Sequence, residues 1–345
     1  MPGRSALQGM KIALDIMSGD ESPRSRICSV ARVLKSRSDI RLILIGDKPL
    51  MNALLVEYPG LADSGRIEML HADTTIAMGD RPSQALRSRK GSSMWKMLEQ
   101  VANGNADACV SAGNTGALMA MGRYLLKTFS GVDRPAIATS LPCGNGETLL
   151  LDIGANVDST SANLYQFAVM GSRLSSSLYG IAAPRVALLN VGTEDIKGSE
   201  QVRLAHQILL EDGSLNYTGY IEGHAIFTGL ADVIVCDGFA GNIALKTAEG
   251  VANLARHELT AMFQSGWWRR LLGLMVSPVL SEFGDQINPV LYNGASFLGL
   301  QGIVVKSHGS ADEKGFYQAI CRAIHEVESG VQGRLAQGIE DMLMR

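Results

Sequence analysis

The chain has 345 residues, 46% of them hydrophobic and 19% charged, with a formal net charge of −3. That size supports one large α/β unit or two domains, and the charge balance excludes a nucleic-acid binder working through a basic surface. Cys28, Cys109, Cys143, Cys236 and Cys321 form no CxxC pair, so neither a zinc cluster nor a disulfide framework is expected in what reads as a cytosolic protein.

Residues 1–10 are expected to be a flexible polar extension without the apolar core of a secretion signal. Strands follow at 11–16, closing on Asp15, and at 41–46 and 66–71. A helix is expected over 83–103, and the basic residues Arg81, Arg87, Arg89 and Lys90 gather at its start. The strand 107–111 leads into Ser-Ala-Gly-Asn-Thr-Gly and a helical pattern. Further strands are expected at 148–153, 185–191, 233–237 and 302–306, with a helix over 239–263. Most of these runs are continuously apolar, the mark of strands covered on both faces. Alternation with helices predicts a three-layer α/β/α fold around a large, mostly parallel sheet. Asp15, Asp152, Asn156, Lys197, Asp237, Asn242 and Lys246 are polar groups at or just after these strand ends, expected at one sheet edge.

The Gly113-Asn-Thr-Gly116 turn offers backbone N–H groups and the start of a helix, with Ser111, Asn114 and Thr115 adding short polar side chains. Ordinary helix capping is the competing reading. No G-x-G-x-x-G and no G-x-x-x-x-G-K-[ST] occurs, so a single phosphate suits the turn better than a dinucleotide or nucleotide. A second anion site is expected where Lys306, Ser307 and His308 leave a strand. The segment from Ala106 is echoed from Ala231: Ala106, Asp107, Val110, Gly113 and Gly116 match Ala231, Asp232, Val235, Gly238 and Gly241. Duplicated units facing one cleft are one reading of this echo. No lipase-type elbow or metal-binding string appears. Between Ser265 and Leu280, Trp267, Trp268, Leu271 and Leu274 surround Arg269 and Arg270, as in a helix lying in a membrane interface or packed on a subunit.

Six strings in order, "ALDIMSGD", "RPSQALR" before "SSM", "SAGNTGALMA", "LDIGAN", "CDGFAGNIALK" and "YNGASFLGLQGIVVKSHG", make the sequence resemble the bacterial acyl-[acyl-carrier-protein]:phosphate acyltransferases, the PlsX family of phospholipid synthesis. Ser18 departs from the resemblance, since that family usually has glycine there. The resemblance implies transfer of a long acyl chain from a carrier-protein thioester to inorganic phosphate, with no cofactor, metal or covalent enzyme intermediate. It implies an isocitrate/isopropylmalate-dehydrogenase-like fold shared with phosphotransacetylases, a homodimer, a cytoplasmic protein on the inner membrane face, and a downstream glycerol-3-phosphate acyltransferase as a further partner. Residues 11–345 would form one catalytic unit of two intertwined subdomains, roughly 11–130 plus 300–345 and 131–299, the latter carrying a hydrophobic tip at 265–280.

With phosphate as the anion, Ser111, Gly113, Asn114, Thr115 and Gly116 are assigned to cradle it. Lys306 and His308 would offset charge, and Asn242 would add a donor. Which turn faces phosphate and which the thioester stays open. Arg87, Arg89 and Lys90 are assigned to dock the acidic carrier, and Trp267, Trp268, Leu271 and Leu274 to touch the membrane. The alternatives are a short-chain phosphotransacetylase using coenzyme A, a non-catalytic membrane-associated scaffold, and, by fold analogy alone, an NAD-dependent dehydrogenase.

Overall fold

The computed structural model describes residues 9–61, 64–144, 146–264, 266–286 and 293–344. Most of the expected N-terminal extension, residues 1–8, therefore lies outside the described residues. The strands are β1 (Met10–Asp15), β2 (Ile40–Gly46), β3 (Ile67–His71), β4 (Ala108–Ser111), β5 (Ala136–Cys143), β6 (Gly146–Leu151), β7 (Arg185–Asn190), β8 (Asn216–Glu222), β9 (Val233–Val235), β10 (Ala295–Leu298) and β11 (Ile303–Lys306). The helices are α1 (Pro23–Ser36), α2 (Lys48–Leu55), α3 (Pro82–Ser88), α4 (Ser93–Ala102), α5 (Thr115–Leu125), α6 (Ser161–Tyr179), α7 (Glu200–Asp212), α8 (Gly238–Gln264), α9 (Trp267–Gln286), α10 (Glu313–Glu328) and α11 (Val331–Leu343).

Continuous apolar runs form strands here because each face meets a different core. In β2, Leu42 and Leu44 pack with α1 and α10 residues, while Ile43 and Ile45 face Met97, Leu98 and Leu118 of α4 and α5. Likewise Leu149 and Leu151 of β6 point to the α6 side, and Leu150 points to the opposite core with Ile234 and Cys236. Each fully buried aliphatic side chain contributes about 1.5–3 kcal/mol, so sheet register is fixed from both sides.

One sheet holds all of these strands in the order β3-β2-β1-β4-β11-β10-β5-β6-β9-β7-β8. The block from β3 to β11 is parallel. Three successive antiparallel steps then join β11 to β10, β10 to β5 and β5 to β6, and the block from β6 to β8 is again parallel. Three reversals leave the two blocks running in opposite directions. The polar strand ends expected at one edge thus divide: Asp15, Ser111 and Lys306 close one block, while Asp152, Asp237 and Asn190 close the other. Sequence reading missed β5, β8 and β10, and with β5 and β10 it missed the reversal.

Two helical expectations also change. The expected helix 83–103 breaks at Arg89, and Ser92 restarts it by accepting a hydrogen bond from Trp95 N–H (3.3 Å). Helix α9 runs through Pro278. Among the described residues no helix is long and apolar enough to cross a membrane. Helix α11, assigned by sequence to the first subdomain, puts Val331, Leu335 and Ile339 in the core of the second block with Phe167 and Leu174 of α6. Its apolar stripe is buried there because α6 presents the complementary face.

The internal echo is physical. Asp107 accepts from the N–H of Lys11 (2.8 Å), and Asp232 accepts from the N–H of Arg185 (2.7 Å). In each unit the aspartate opening one strand thus ties the start of its parallel neighbour. At Gly241 a side chain would overlap the Asp152 carbonyl oxygen and lie 2.8 Å from Cys236 Sγ. Gly241→Ala is therefore expected to lower stability by about 2–3 kcal/mol in urea unfolding. Gly250→Ala, later in the same helix with open space around it, should raise stability by about 0.5–1 kcal/mol.

Candidate active site

Three loops converge beyond β1, β4 and β11. Ser307 N–H donates to Ser111 O (2.9 Å), Ser111 Oγ donates to Asp15 Oδ2 (3.0 Å), and Ala112 N–H donates to Ser18 Oγ (2.9 Å). Lys306, only 8% exposed, turns its ammonium back to donate to Ala112 O (3.2 Å) and to Ser307 O. Burial, reinforced by the nearby Arg26 cation, lowers its pKa to about 8. It thus remains mostly charged at neutral pH, on the loop that precedes α5.

The turn before α5 is built differently from its sequence assignment. Ser111 Oγ, besides donating to Asp15, accepts from Gly113 N–H (3.1 Å), so both groups brace the loop. Asn114 caps Ala117 N–H (2.9 Å) and donates to the carbonyls of Met78 (2.6 Å) and Asp80 (3.0 Å). The capping reading therefore holds for Asn114. That cap reaches only Ala117, so Thr115 and Gly116, the first two helical residues, keep N–H groups with no intrahelical acceptor. Gly116 has a second reason to lack a side chain: a Cβ would lie 2.6 Å from Pro82 Cγ. Helix α3 therefore packs beside the turn before α5, and its exposed Arg87 with the following Arg89 and Lys90 stands nearby.

His308 follows on the same loop. Its N–H is held by Asn293 Oδ1 (2.9 Å), while Asn293 Nδ2 donates to Ser307 Oγ (2.8 Å) and Gly315 O (2.7 Å). The ring reaches Ser310 Oγ through Nδ1 (2.9 Å) and Lys246 Nζ through Nε2 (3.1 Å). Ser310 N–H at 3.3 Å also points at Nδ1, but the shorter contact to a cation favours an unprotonated Nε2 and a protonated Nδ1. Partial burial and the Lys246 charge lower the His308 pKa, so this ring is neutral at pH 7. It supplies a hydrogen bond or takes a proton, and does not add the positive charge expected of it.

Helix α8 connects the two sets of strand ends. It starts at the Asp152–Asn156 loop, where Asp237 Oδ1 caps Ala240 N–H (2.7 Å) and Gly238 N–H donates to Asn156 O (2.7 Å). Two turns on, Lys246 reaches His308 and also pairs with Glu249 (2.7 Å). Asn242, one turn before Lys246 and exposed, borders Gly154. Asp152 is buried and its carboxylate accepts from the N–H groups of Ile137, Gly154, Ala155 and Asn156 and from Asn156 Nδ2. Asn156 donates also to Pro135 O (2.8 Å). These two residues shape the loop, with the Asp152 carboxylate and the Asn156 amide N–H groups spent on it. Lys197 pairs with Glu194 (3.9 Å) after β7, two strands beyond β6.

The structure thus brings together Lys306, Ser307, His308, Lys246, Asp15, Ser111 and the Thr115–Gly116 amides. It leaves Lys197 outside that group. Sequence reading missed Asn293, Glu249, Ser18 and Arg26 as residues that hold the site. Asn293 sat in a string already noted, but its side chain was not read as a brace. Farther along α8 and α9, Trp267 and Trp268 are 69% and 60% exposed and stack at 4.2 Å between ring centroids, with Leu271 also exposed. The side chain of Leu274 lies outside the described residues.

A family model described as fatty acid synthesis protein matches residues 10–334. The chain is 48% identical to a phosphate acyltransferase of Pseudomonas putida over 332 residues, covering 96% of this chain and 98% of that protein. It is 49% identical to a phosphate acyltransferase of a Shewanella species over 340 residues, covering 98% of this chain and 97% of that protein. Among solved structures, the EutD phosphotransacetylase of Staphylococcus aureus superposes with a TM-score of 0.61 at 19% identity, covering 92% and 94% of the two chains. A phosphotransacetylase of Streptococcus pyogenes gives 0.61 at 18% identity, covering 93% and 95%. The fold is that of the phosphotransacetylases.

Asp15 gives a test of how strongly the site is held. Its burial raises the carboxyl pKa to about 6, against hydrogen bonds from Ser93 and Ser111 that act the other way. The unfolded chain releases that proton near pH 4, so between about 4 and 6 the folded state binds more protons and stability falls as pH rises. Asp15→Asn removes this loss. In urea unfolding at pH 7 the variant is expected to be more stable than the parent by up to about 3 kcal/mol, the gap closing by about pH 4.

Proposed function

The chain belongs to the family of fatty acid synthesis proteins, and on that premise we propose that it transfers a fatty acyl group from the thioester of an acyl carrier protein to inorganic phosphate. The products are acyl phosphate and the free carrier thiol, and the reaction serves phospholipid synthesis. The observation that carries this reading is the buried Lys306 ammonium held on the Ala112 carbonyl, in the loop that leads directly to the uncapped N–H groups of Thr115 and Gly116 at the start of α5.

A helix N-terminus and a lysine together favour a small anion. Phosphate bound there is itself the nucleophile. One of its oxygens attacks the thioester carbonyl, the C–O bond forms, and the tetrahedral intermediate collapses with loss of the C–S bond. The departing thiolate takes a proton from solvent or from a group at the cleft. A thiol has a pKa near 8.5, so it leaves without a strong acid. Positioning supplies up to roughly 7–11 kcal/mol, and each donor to the oxyanion about 3–4 kcal/mol. Lys246, which reaches His308, and Asn242 one turn before it on α8 are suited to that second role.

The exposed arginines beside α5 support docking of an acidic carrier. Contacts of that type act mainly on encounter and weaken with salt. The exposed tryptophans and leucines of α9 support a peripheral position on the inner membrane face or burial in a homodimer, in keeping with a partner such as a glycerol-3-phosphate acyltransferase that consumes the product.

Lys306→Met is expected to lower kcat/KM for phosphate by about 100-fold or more while leaving the circular-dichroism spectrum unchanged. A folded variant with parental kcat/KM would sink the assignment. Because the Lys306 pKa lies at about 8, kcat/KM for phosphate in the parent should decline above that pH as the ammonium loses its charge. The docking reading is checked by Arg87→Ala combined with Arg89→Ala. KM for an acyl carrier donor should rise several-fold at low salt, while KM for acyl-coenzyme A stays put. If acyl-coenzyme A is the better donor for the parent protein, the short-chain phosphotransacetylase reading replaces this one.

A further inference from the structure

Helix α1 contributes a residue that no motif marked. Arg26 is fully buried, with its guanidinium carbon 4.7 Å from the centre of the Phe316 ring. Its Nη1 donates to Ala311 O (2.5 Å), and Nε and Nη2 both reach Ser18 O (3.4 Å each). Ser18 belongs to the loop after β1 and Ala311 to the loop after β11, which carries His308. The same two loops are joined by Asp20 N–H donating to Gly309 O (2.8 Å). Gly19 sits between them at φ +89°, where a Cβ would lie 2.6 Å from Arg26 Nη2 and 2.7 Å from Gly309 O. Ser18 extends the connection to the third loop: its hydroxyl donates to Asp15 O (2.8 Å) and accepts from Ala112 N–H (2.9 Å). The carbonyl of that same Ala112 receives the Lys306 ammonium.

We propose that Arg26 is a positioning residue of the active site, whose buried guanidinium clasps the loops after β1 and β11 and so holds the Lys306 ammonium on the Ala112 carbonyl of the loop before α5. The proposal rests on the reading of Lys306 as a phosphate ligand. Arginine suits the task because its planar fork bonds two carbonyls on different loops at once, whereas an ammonium is a point charge. The serine at position 18, unusual for this loop, is thereby part of the clasp: its side chain reaches one neighbouring loop and its carbonyl the guanidinium.

The charges around the pair set the readout. Arg26 faces Glu21, Asp15, Asp20 and Asp312. Lys306 faces Arg26 from α1, Lys246 from α8 and Asp20 from the loop after β1. Removing the Arg26 cation takes a like charge from Lys306, which favours its ammonium and moves its deprotonation to higher pH. A purely structural role would not shift that titration.

The experiment compares pH profiles of kcat/KM for inorganic phosphate in the parent, Arg26→Met and Arg26→Lys. Arg26→Met is expected to raise KM for phosphate about tenfold and to move the alkaline limb upward by about half a pH unit or more. Arg26→Lys keeps a cation, so KM should rise while the limb stays in place. A parent profile with no alkaline limb near pH 8 overturns the reading of Lys306 and this proposal with it. A parent limb that Arg26→Met leaves unmoved overturns the role of Arg26 alone. Should Arg26→Met fail to fold, Arg26→Lys decides: an unchanged KM for phosphate overturns the proposal, and a raised KM with an unmoved limb supports it.

Discussion

The strands β10 and β5 join two parallel blocks that run in opposite directions, and the candidate site is arranged around that reversal. Loops of an all-parallel sheet would leave every strand end at one edge. Here Asp15, Ser111 and Lys306 end at one edge and Asp152 and Asp237 at the other, so the second block contributes through an intermediary. Helix α8 is that intermediary. It begins at the Asp152–Asn156 loop, seated closely because Gly238 and Gly241 carry no side chain, and two turns later it brings Lys246 to His308. Lys246 and His308, 62 positions apart in the chain, meet through that one helix.

The charged groups of the cleft are held at a cost to folding. Asp15, Arg26 and Lys306 are each nearly or fully buried. Removing such ions from water costs several kcal/mol apiece, which mutual attraction and hydrogen bonds only partly offset. The direction of each pKa follows: the carboxyl is raised and both cations are lowered, with burial the largest cause in all three. A site that only stabilised the fold would be better filled with apolar side chains. Charges kept here at that cost are consistent with a ligand that supplies the missing counter-charge, and an anion does so for Lys306.

Much of this was legible in the sequence. Runs such as Ile12 to Ile16 and Arg41 to Gly46 announced strands buried on both faces, and the Gly113 to Gly116 turn announced a helix start. What was not legible has physical causes. Strand β5 includes Thr139, Ser140 and Pro142, and β10 is four residues long, so neither offers a run or an alternation. Strand β8 lies at the sheet edge and is mostly polar. Arg26 occupies an ordinary position in a helix with Arg24 and Arg32 nearby, and only packing against Phe316 and two distant loops separates it from surface arginines. A contact across 285 positions of sequence leaves no local trace.

The polar side chains that looked most like ligands turn out to be the ones most fully used within the protein. Ser111, Asn114, Asp152 and Ser307 spend their side-chain donors and acceptors on neighbouring loops, and Asn156 spends its side-chain donors there. What they leave open are the backbone N–H groups of Thr115 and Gly116 at the start of α5. This division fits a reaction in which the nucleophile arrives as an anion. A serine or cysteine nucleophile must be activated by an adjacent base and left free to attack. Phosphate needs only to be held at the correct distance from a carbonyl, and rigid loops with exposed amides do that without a reactive side chain. In the reaction proposed above, the bracing residues act on the chemistry indirectly: by fixing the amides and the Lys306 ammonium before substrate arrives, they remove the reorganisation that binding would otherwise require.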